Sequence, residues 1–242
     1  KDTNEEVDDL KFSPSGRYLA VASHDNIIYI YDVKLSFDVK RGGAMVKVGT
    51  CVGHSSFVQH IDWSVGGDKI VSNSGDYEQL YWGPSPDPGR PGWCQVTDDV
   101  RDVKWDTWTT LGSEVMGIWQ DGMDGTDINA LHRSHNGNFS VMSGDDGLVY
   151  LFNHPVVIEE APHRAFRGHS SHVENVRFLA NDERVVSAGG ADRSMMQWTT
   201  QGITKPSTQG HAEIAALLEQ ADADVSDSAP FPIFIIYRDD DA

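Results

Sequence analysis

Apolar and polar side chains alternate in short runs along most of the chain, and each run stops at a Gly, Asp, Asn or Pro cluster. Residues 53–82 (GHSSFVQHIDWSVGGDKIVSNSGDYEQLYW) show the pattern in full. A Gly-His pair leads into Val58, His60 and Asp62 on one face, with Ile61 and Trp63 on the other. A turn at 66–68, a strand over 69–73, a tight turn carrying Asp76 and a strand ending at Trp82 follow. Period-two alternation broken by such turns predicts short antiparallel strands. Residues 168–198 (GHSSHVENVRFLANDERVVSAGGADRSMMQW) carry the same punctuation, so the unit is a repeat. Two further copies run from Val7 to about Val33 and from Asp127 to Phe152. In all four an Asp stands six residues before an aromatic: Asp25 before Tyr31, Asp76 before Trp82, Asp146 before Phe152 and Asp192 before Trp198.

A lone small sheet cannot bury both faces, so repeats of this kind stack as the blades of a propeller. Segment 100–119 alternates without the Asp-to-aromatic turn. Asp76 and Asp146 are 70 residues apart, against 51 and 46 for the flanking intervals, which leaves room to read it as one degenerate blade. The expected fold is therefore all-β, a β-propeller of about five blade-like units, part of a larger or tandem propeller. Residues 1–6 are a connector, 7–198 the propeller part and 199–242 a C-terminal tail. A strand is expected at 46–52. The four prolines of 83–92 exclude a central strand there. In the tail, Ile214, Leu217, Leu218 and Ala221 have helical spacing and predict a short helix over 211–221. The apolar run 231–237 fits either a strand packed on its own domain or a contact with a partner.

The net charge of −18 disfavours a sequence-independent grip on nucleic acid or on an anionic membrane. The tail contributes −6 of it, leaving −12 on the rest. Cys51 and Cys94 form no C-x-x-C pair and no disulfide framework, which points to a reducing compartment. No apolar run reaches the ~18 residues of a membrane span. The first residue is Lys1 rather than Met, as expected for a piece of a longer chain.

The Gly-His, Asp and Trp punctuation resembles the WD-repeat family. Longer strings, SHDNIIYIYDV (23–33), the whole of 53–82, VRDVKWDTWTTLG with GIWQDGMDGTDINALHRSHNG (100–137) and GHSSHVENVRF (168–178), resemble the C-terminal tandem-propeller region of the echinoderm microtubule-associated protein-like family. That resemblance covers residues 7–198 and departs at 83–92 and after Trp198. It implies a scaffold that binds tubulin or microtubules and neighbouring cytoskeletal or axonemal proteins. It places the protein in the cytoplasm and cytoskeleton, including the ciliary axoneme, with no enzymatic activity, nucleic-acid or membrane partner, or cofactor. The alternative is a soluble WD-repeat adaptor, such as a ligase substrate receptor or a signalling scaffold.

His54, Ser72 and Asp76, and again His169, Ser187 and Asp192, have the composition of a hydrolase triad. An active site would not be duplicated in two blades. In WD repeats these residues, with Trp82 and Trp198, form a buried network that locks each blade, and buried polar groups demand such partners. Asp25 and Asp146 are the corresponding turn residues of the other two copies. His132 with His135, and His169 with His172, are three apart, a spacing that on strands points to opposite faces and away from a shared metal. Segment 121–127 lacks the D-x-D-x-D-G order of a calcium loop. The segments outside the repeat, 83–92 and 231–237, are expected to contact partners.

Overall fold

The computed structural model describes residues 2–33, 45–89, 92–97, 99–124 and 127–200, together with the backbone of 234–237. It divides into two compact units, Lys1–Gly112 and Ser113–Ala242. Each holds two four-stranded antiparallel sheets. In the first unit, β1 (Val7–Phe12), β2 (Tyr18–Ser23), β3 (Ile27–Asp32) and β4 (Val46–Val52) pair in chain order. So do β5 (Val58–Trp63), β6 (Ile70–Ser74), β7 (Gln79–Pro84) and β8 (Trp93–Gln95). In the second unit the sheets are β9 (Ile128–Arg133), β10 (Phe139–Gly144), β11 (Leu148–Asn153) and β12 (His163–Arg167), then β13 (Val173–Phe178), β14 (Arg184–Gly189), β15 (Ser194–Thr199) and β16 (Phe234–Tyr237).

The repeat seen in the sequence returns in the backbone. The turn between the first two strands of each sheet places one residue at positive φ, namely Gly16, Gly67, Gly137 and Asp182. Each of these donates its N–H to the carbonyl three residues back. The next turn also has a positive φ, one residue after the repeat's Asp, at Asn26, Tyr77, Gly147 and Arg193. The first strand pair of every sheet also slips by one residue at the same place, leaving Asp8, Gln59, Asn129 and Glu174 as bulged positions. Such bulges re-aim side chains at strand ends.

Packing follows from alternation. In the first unit Ala20, Ala22, Ile28, Ile30, Val58, Ile61, Trp63, Ile70 and Trp82 form one buried cluster between the two sheets. In the second unit Val141, Val149, Val173, Val176, Phe178, Val185 and Trp198 do so. Strand β6 is buried along its whole length, and its polar residues Ser72, Asn73 and Ser74 are all hydrogen-bonded.

One expectation changes, and two others gain a structural setting. Segment 100–119 is not a fifth blade, and among the described residues there are four sheets. Its alternation comes from Trp105 and Trp108, which lie buried and edge-on to each other, with Trp105 also against Tyr81 of β7. Its ladder pairing is limited to an isolated bridge, Ser64 to Trp105, just past the end of β5. From Ser113 to Ile118 the chain winds into 3₁₀ turns. Second, the proline-rich insertion joins β7 to β8 as a hairpin, with Pro84 opposite Trp93 at its base and Ser85 N–H bonded to the Gly92 carbonyl. Third, the Phe234–Tyr237 backbone of the apolar tail run pairs with β15 as the fourth strand of the last sheet, the first of the two readings its sequence left open. The expected helix at 211–221 and residues 231–233 lie outside the described residues.

Candidate functional site

The polar residues singled out from the sequence converge within each blade. In the second sheet, the turn after β6 delivers Asp76 to the mouth of the Gly-His loop. Asp76 accepts the Glu78 N–H at 2.9 Å through Oδ1, and the Ser55 N–H at 2.9 Å through Oδ2. His54 Nδ1 lies 3.0 Å from the same Oδ2, and His54 Nε2 lies 2.7 Å from Ser72 Oγ. Trp82 donates its indole N–H to Ser72 Oγ at 2.8 Å. With the indole N–H donating to Ser72, the Ser72 hydroxyl is free to donate to His54 Nε2. Neutral His54 then carries its proton on Nδ1, facing Asp76, and every group in the chain is satisfied.

The fourth sheet repeats this geometry. His169 Nδ1 is 2.9 Å from Asp192 Oδ2, and its Nε2 is 2.7 Å from Ser187 Oγ. Trp198 donates to Ser187 at 2.8 Å. The glycine before each His has a reason in packing. A Cβ at Gly53 would sit 2.9 Å from the Trp82 ring, and one at Gly168 would sit 2.9 Å from Trp198 and 2.5 Å from Met196 Sδ.

The first and third sheets lack the Gly-His pair and satisfy their turn Asp differently. Asp25 accepts the Tyr29 hydroxyl at 2.7 Å and the Ile27 N–H at 3.3 Å. Asp146 accepts the Tyr150 hydroxyl in a short hydrogen bond and the Leu148 N–H at 2.9 Å. A Tyr four residues after the Asp thus replaces the His, Ser and Trp relay. Burial and then the Asp25 carboxylate push the Tyr29 phenol up to about 12, and burial with Asp146 pushes Tyr150 up as well. Burial pushes Asp76 and Asp192 upward, but backbone N–H groups and the imidazoles outweigh it and hold both below the ordinary carboxylate value.

One centre was not anticipated. Asp62 of β5 is fully buried and accepts Lys11 Nζ at 2.7 Å, Thr107 Oγ1 at 2.5 Å, and the N–H groups of Thr109 and Thr110 at 2.6 and 3.0 Å. Burial opposes its ionisation, but Lys11, Thr107 and the Thr109 N–H hold the carboxyl below its ordinary value. This carboxylate ties segment 107–110 to both sheets of its unit.

The relays have the composition of a triad but offer no reacting surface. Ser72 and Ser187 are 0% exposed, and each oxygen already serves an indole and an imidazole. In the second unit a cavity of about 30 Å³, lined by Val141, Val149, Leu151, Phe166, Val185 and Trp198, has room for little more than one water. The His132 and His135 rings lie 5.7 Å apart, closer than strand spacing predicts, because β9 ends at Arg133 and His135 sits in the turn. Each is already engaged: His132 Nδ1 accepts the Phe178 N–H, and His135 Nδ1 meets Asp182 at 2.8 Å. His172 instead meets Asp145 at 2.9 Å, away from His169. Glu6, Asp8 and His24 bring one ligand atom each to within 4.8 Å of one another, all exposed. Among the described residues they are the set that could hold a cation.

The sequence was compared with known proteins. A family model described as the second β-propeller of echinoderm microtubule-associated proteins matches residues 1–200. Echinoderm microtubule-associated protein-like 1 of Mus musculus is 47% identical over 201 residues, covering 81% of this chain and 23% of that protein. Echinoderm microtubule-associated protein-like 2 of Rattus norvegicus is 48% identical over 202 residues, covering 81% and 29%. The 77 kDa echinoderm microtubule-associated protein of Lytechinus variegatus is 47% identical over 199 residues, covering 82% and 29%. The chain thus spans less than a third of the length of these relatives.

Proposed function

Because the chain belongs to the echinoderm microtubule-associated protein family, we propose that it is the propeller part of a non-enzymatic scaffold that holds tubulin or microtubules against neighbouring cytoskeletal or axonemal proteins. The observation that carries this reading is the family match across residues 1–200, which includes the non-repeating segment 100–119. Within the scaffold, His54, Ser72, Asp76 and Trp82, and His169, Ser187, Asp192 and Trp198, lock their blades, and Asp25 and Asp146 do so through tyrosine. Their polar atoms are spent on one another, which supports a structural role over a catalytic one. Gly83 and Pro84 at the start of the insertion and the strand Phe234–Tyr237 each pair inside a sheet, so these residues need no partner to explain them.

At −18, the protein is not drawn to an acidic lattice by its overall field, so attachment rests on local contacts. Detergent fractionation of the source cells tests the reading, with mass spectrometry following the protein in the microtubule pellet through rising salt. Retention in the pellet is the expected result; retention through high salt marks contacts that screening does not weaken. Appearance in the soluble fraction from the start overturns it in favour of the soluble adaptor.

A further inference from the structure

The second unit carries a loop whose construction the scaffold reading does not use. After β11 the chain is tied down at both ends. His154 is buried and meets Ser140 Oγ at 2.9 Å and Glu114 Oε2 at 3.2 Å. Val156 exchanges backbone hydrogen bonds with the 3₁₀ segment, donating to the Glu114 carbonyl and accepting from the Gly117 N–H, both at 2.7 Å. Ala161 closes the loop by donating to the Gly117 carbonyl at 3.0 Å. The contact is tight: a Cβ on Gly117 would sit 2.0 Å from the Ile158 carbonyl oxygen.

Between the buried anchors Val156 and Ala161, four residues are lifted into solvent. Val157 is 62% and Ile158 56% exposed, and Glu159 and Glu160 are exposed beside them. Met116, next to Gly117 on the facing segment, is 55% exposed. The clamped loop and the segment it faces therefore hold three aliphatic side chains in water, two from the loop and one from the segment, with the loop's two carboxylates beside them. Glu114 is engaged by His154 and lies in the field of Arg133, whereas Glu159 and Glu160 have no hydrogen bond or ion pair among the described residues.

We propose that Met116, Val157 and Ile158, with Glu159 and Glu160 beside them, dock a segment of another protein in which an apolar side chain is flanked by lysine or arginine. An apolar centre with a charged rim is the usual anatomy of such contacts. Charge selects the occupant. A second copy meeting patch to patch would set Glu159 and Glu160 against their own kind. The amphipathic tail sequence 211–221 carries Glu213 and Glu219 and no Lys or Arg, so it has the same sign. A basic partner is attracted where both of these are repelled.

The test pans a displayed library of random dodecapeptides on the full chain and measures the recovered peptides by fluorescence anisotropy. The variants are Val157→Ser with Ile158→Ser, and separately Glu159→Gln with Glu160→Gln; thermal unfolding checks that both stay folded. The expected peptides carry an aliphatic or aromatic residue between basic ones. The aliphatic variant should weaken them at least tenfold, and the charge variant several-fold with a flatter salt dependence. The proposal is overturned if no peptide is recovered, if recovered peptides lack basic residues, or if both variants bind them unchanged. A wild-type dimer dissolved by Val157→Ser with Ile158→Ser would overturn it in favour of a second copy.

Discussion

Replacing Ser72 with Ala removes one oxygen and leaves the surrounding shape nearly intact, so the loss reads the relay itself. Ser72 Oγ accepts from Trp82 at 2.8 Å and faces His54 Nε2 at 2.7 Å, and all three side chains are shielded from solvent. After the substitution the indole N–H and the imidazole nitrogen are both buried without a partner. Each unsatisfied buried group costs ~1–3 kcal/mol, so Ser72→Ala should destabilise its unit by about 2–6 kcal/mol. Ser143 supplies the control. It is likewise fully buried on a strand, but its hydroxyl has no hydrogen-bond partner. Ser143→Ala should therefore be neutral or slightly stabilising. Urea unfolding measures both, and exchange of the Trp82 indole proton, followed by NMR, localises the change to the relay. Equal stability losses for the two variants, or unchanged protection of that proton in Ser72→Ala, would refute the reasoning.

Three further outcomes are expected. Asp62→Asn should cost about 3–5 kcal/mol, because it strands Lys11 beside a buried neutral amide; urea unfolding against wild type checks it. The folded Asp62 carboxyl lies below its ordinary value of 3.8, so its contribution is present above that pH and is lost as pH falls through the folded value. The acid limb of stability against pH should flatten in Asp62→Asn. Tyr29 has the opposite sign: its phenol rises from 10.0 to about 12, so the stability it lends is whole below pH 10 and is lost as pH climbs towards 12. Tyr29→Phe should be less steep over that window in an alkaline titration followed by circular dichroism. Gly117→Ala drives a methyl against the Ile158 and Val156 carbonyls and should cost about 1–3 kcal/mol, read as a lowered thermal midpoint.

Much of the blade was legible because the chain repeats its turns. Gly16, Gly67 and Gly137 sit where φ is positive, and glycine meets that demand without strain. The fourth copy uses Asp182, a residue that also tolerates the left-handed region, and its carboxylate then grips the His135 and Asn136 N–H groups of the neighbouring sheet. The fixed Asp-to-aromatic offset found every second turn. It did not distinguish the two locks, although the signal was present: Tyr29 and Tyr150 stand four residues after Asp25 and Asp146, where the Gly-His copies have Leu80 and Met196. Segment 100–119 misled because period-two alternation reports a wet and a dry side, and a strap laid over a sheet has those as well. What fixes that strap is Asp62, a charge in the middle of a strand whose buried partners come from positions 45 to 51 residues away. Local pattern carries no trace of a contact over that distance. The apolar run 231–237 could be read as a strand, but not assigned to a neighbour, since β15 precedes Phe234–Tyr237 by more than 30 residues.

That last pairing bears on the order in which the protein assembles. Strands β1 to β15 each meet their sheet neighbours within a short stretch of chain, so the ribosome can release them as finished hairpins. β16 cannot join β15 until the segment between Thr199 and Phe234 has been made and its ends have been brought together, a closure whose entropic cost precedes any gain from the ladder. Through that interval the outer edge of β15, with Met195 exposed upon it, is a vacant template for any passing strand. The newborn chain is thus adhesive along that edge for as long as β16 is unmade, and the pairing of Phe234–Tyr237 ends that exposure.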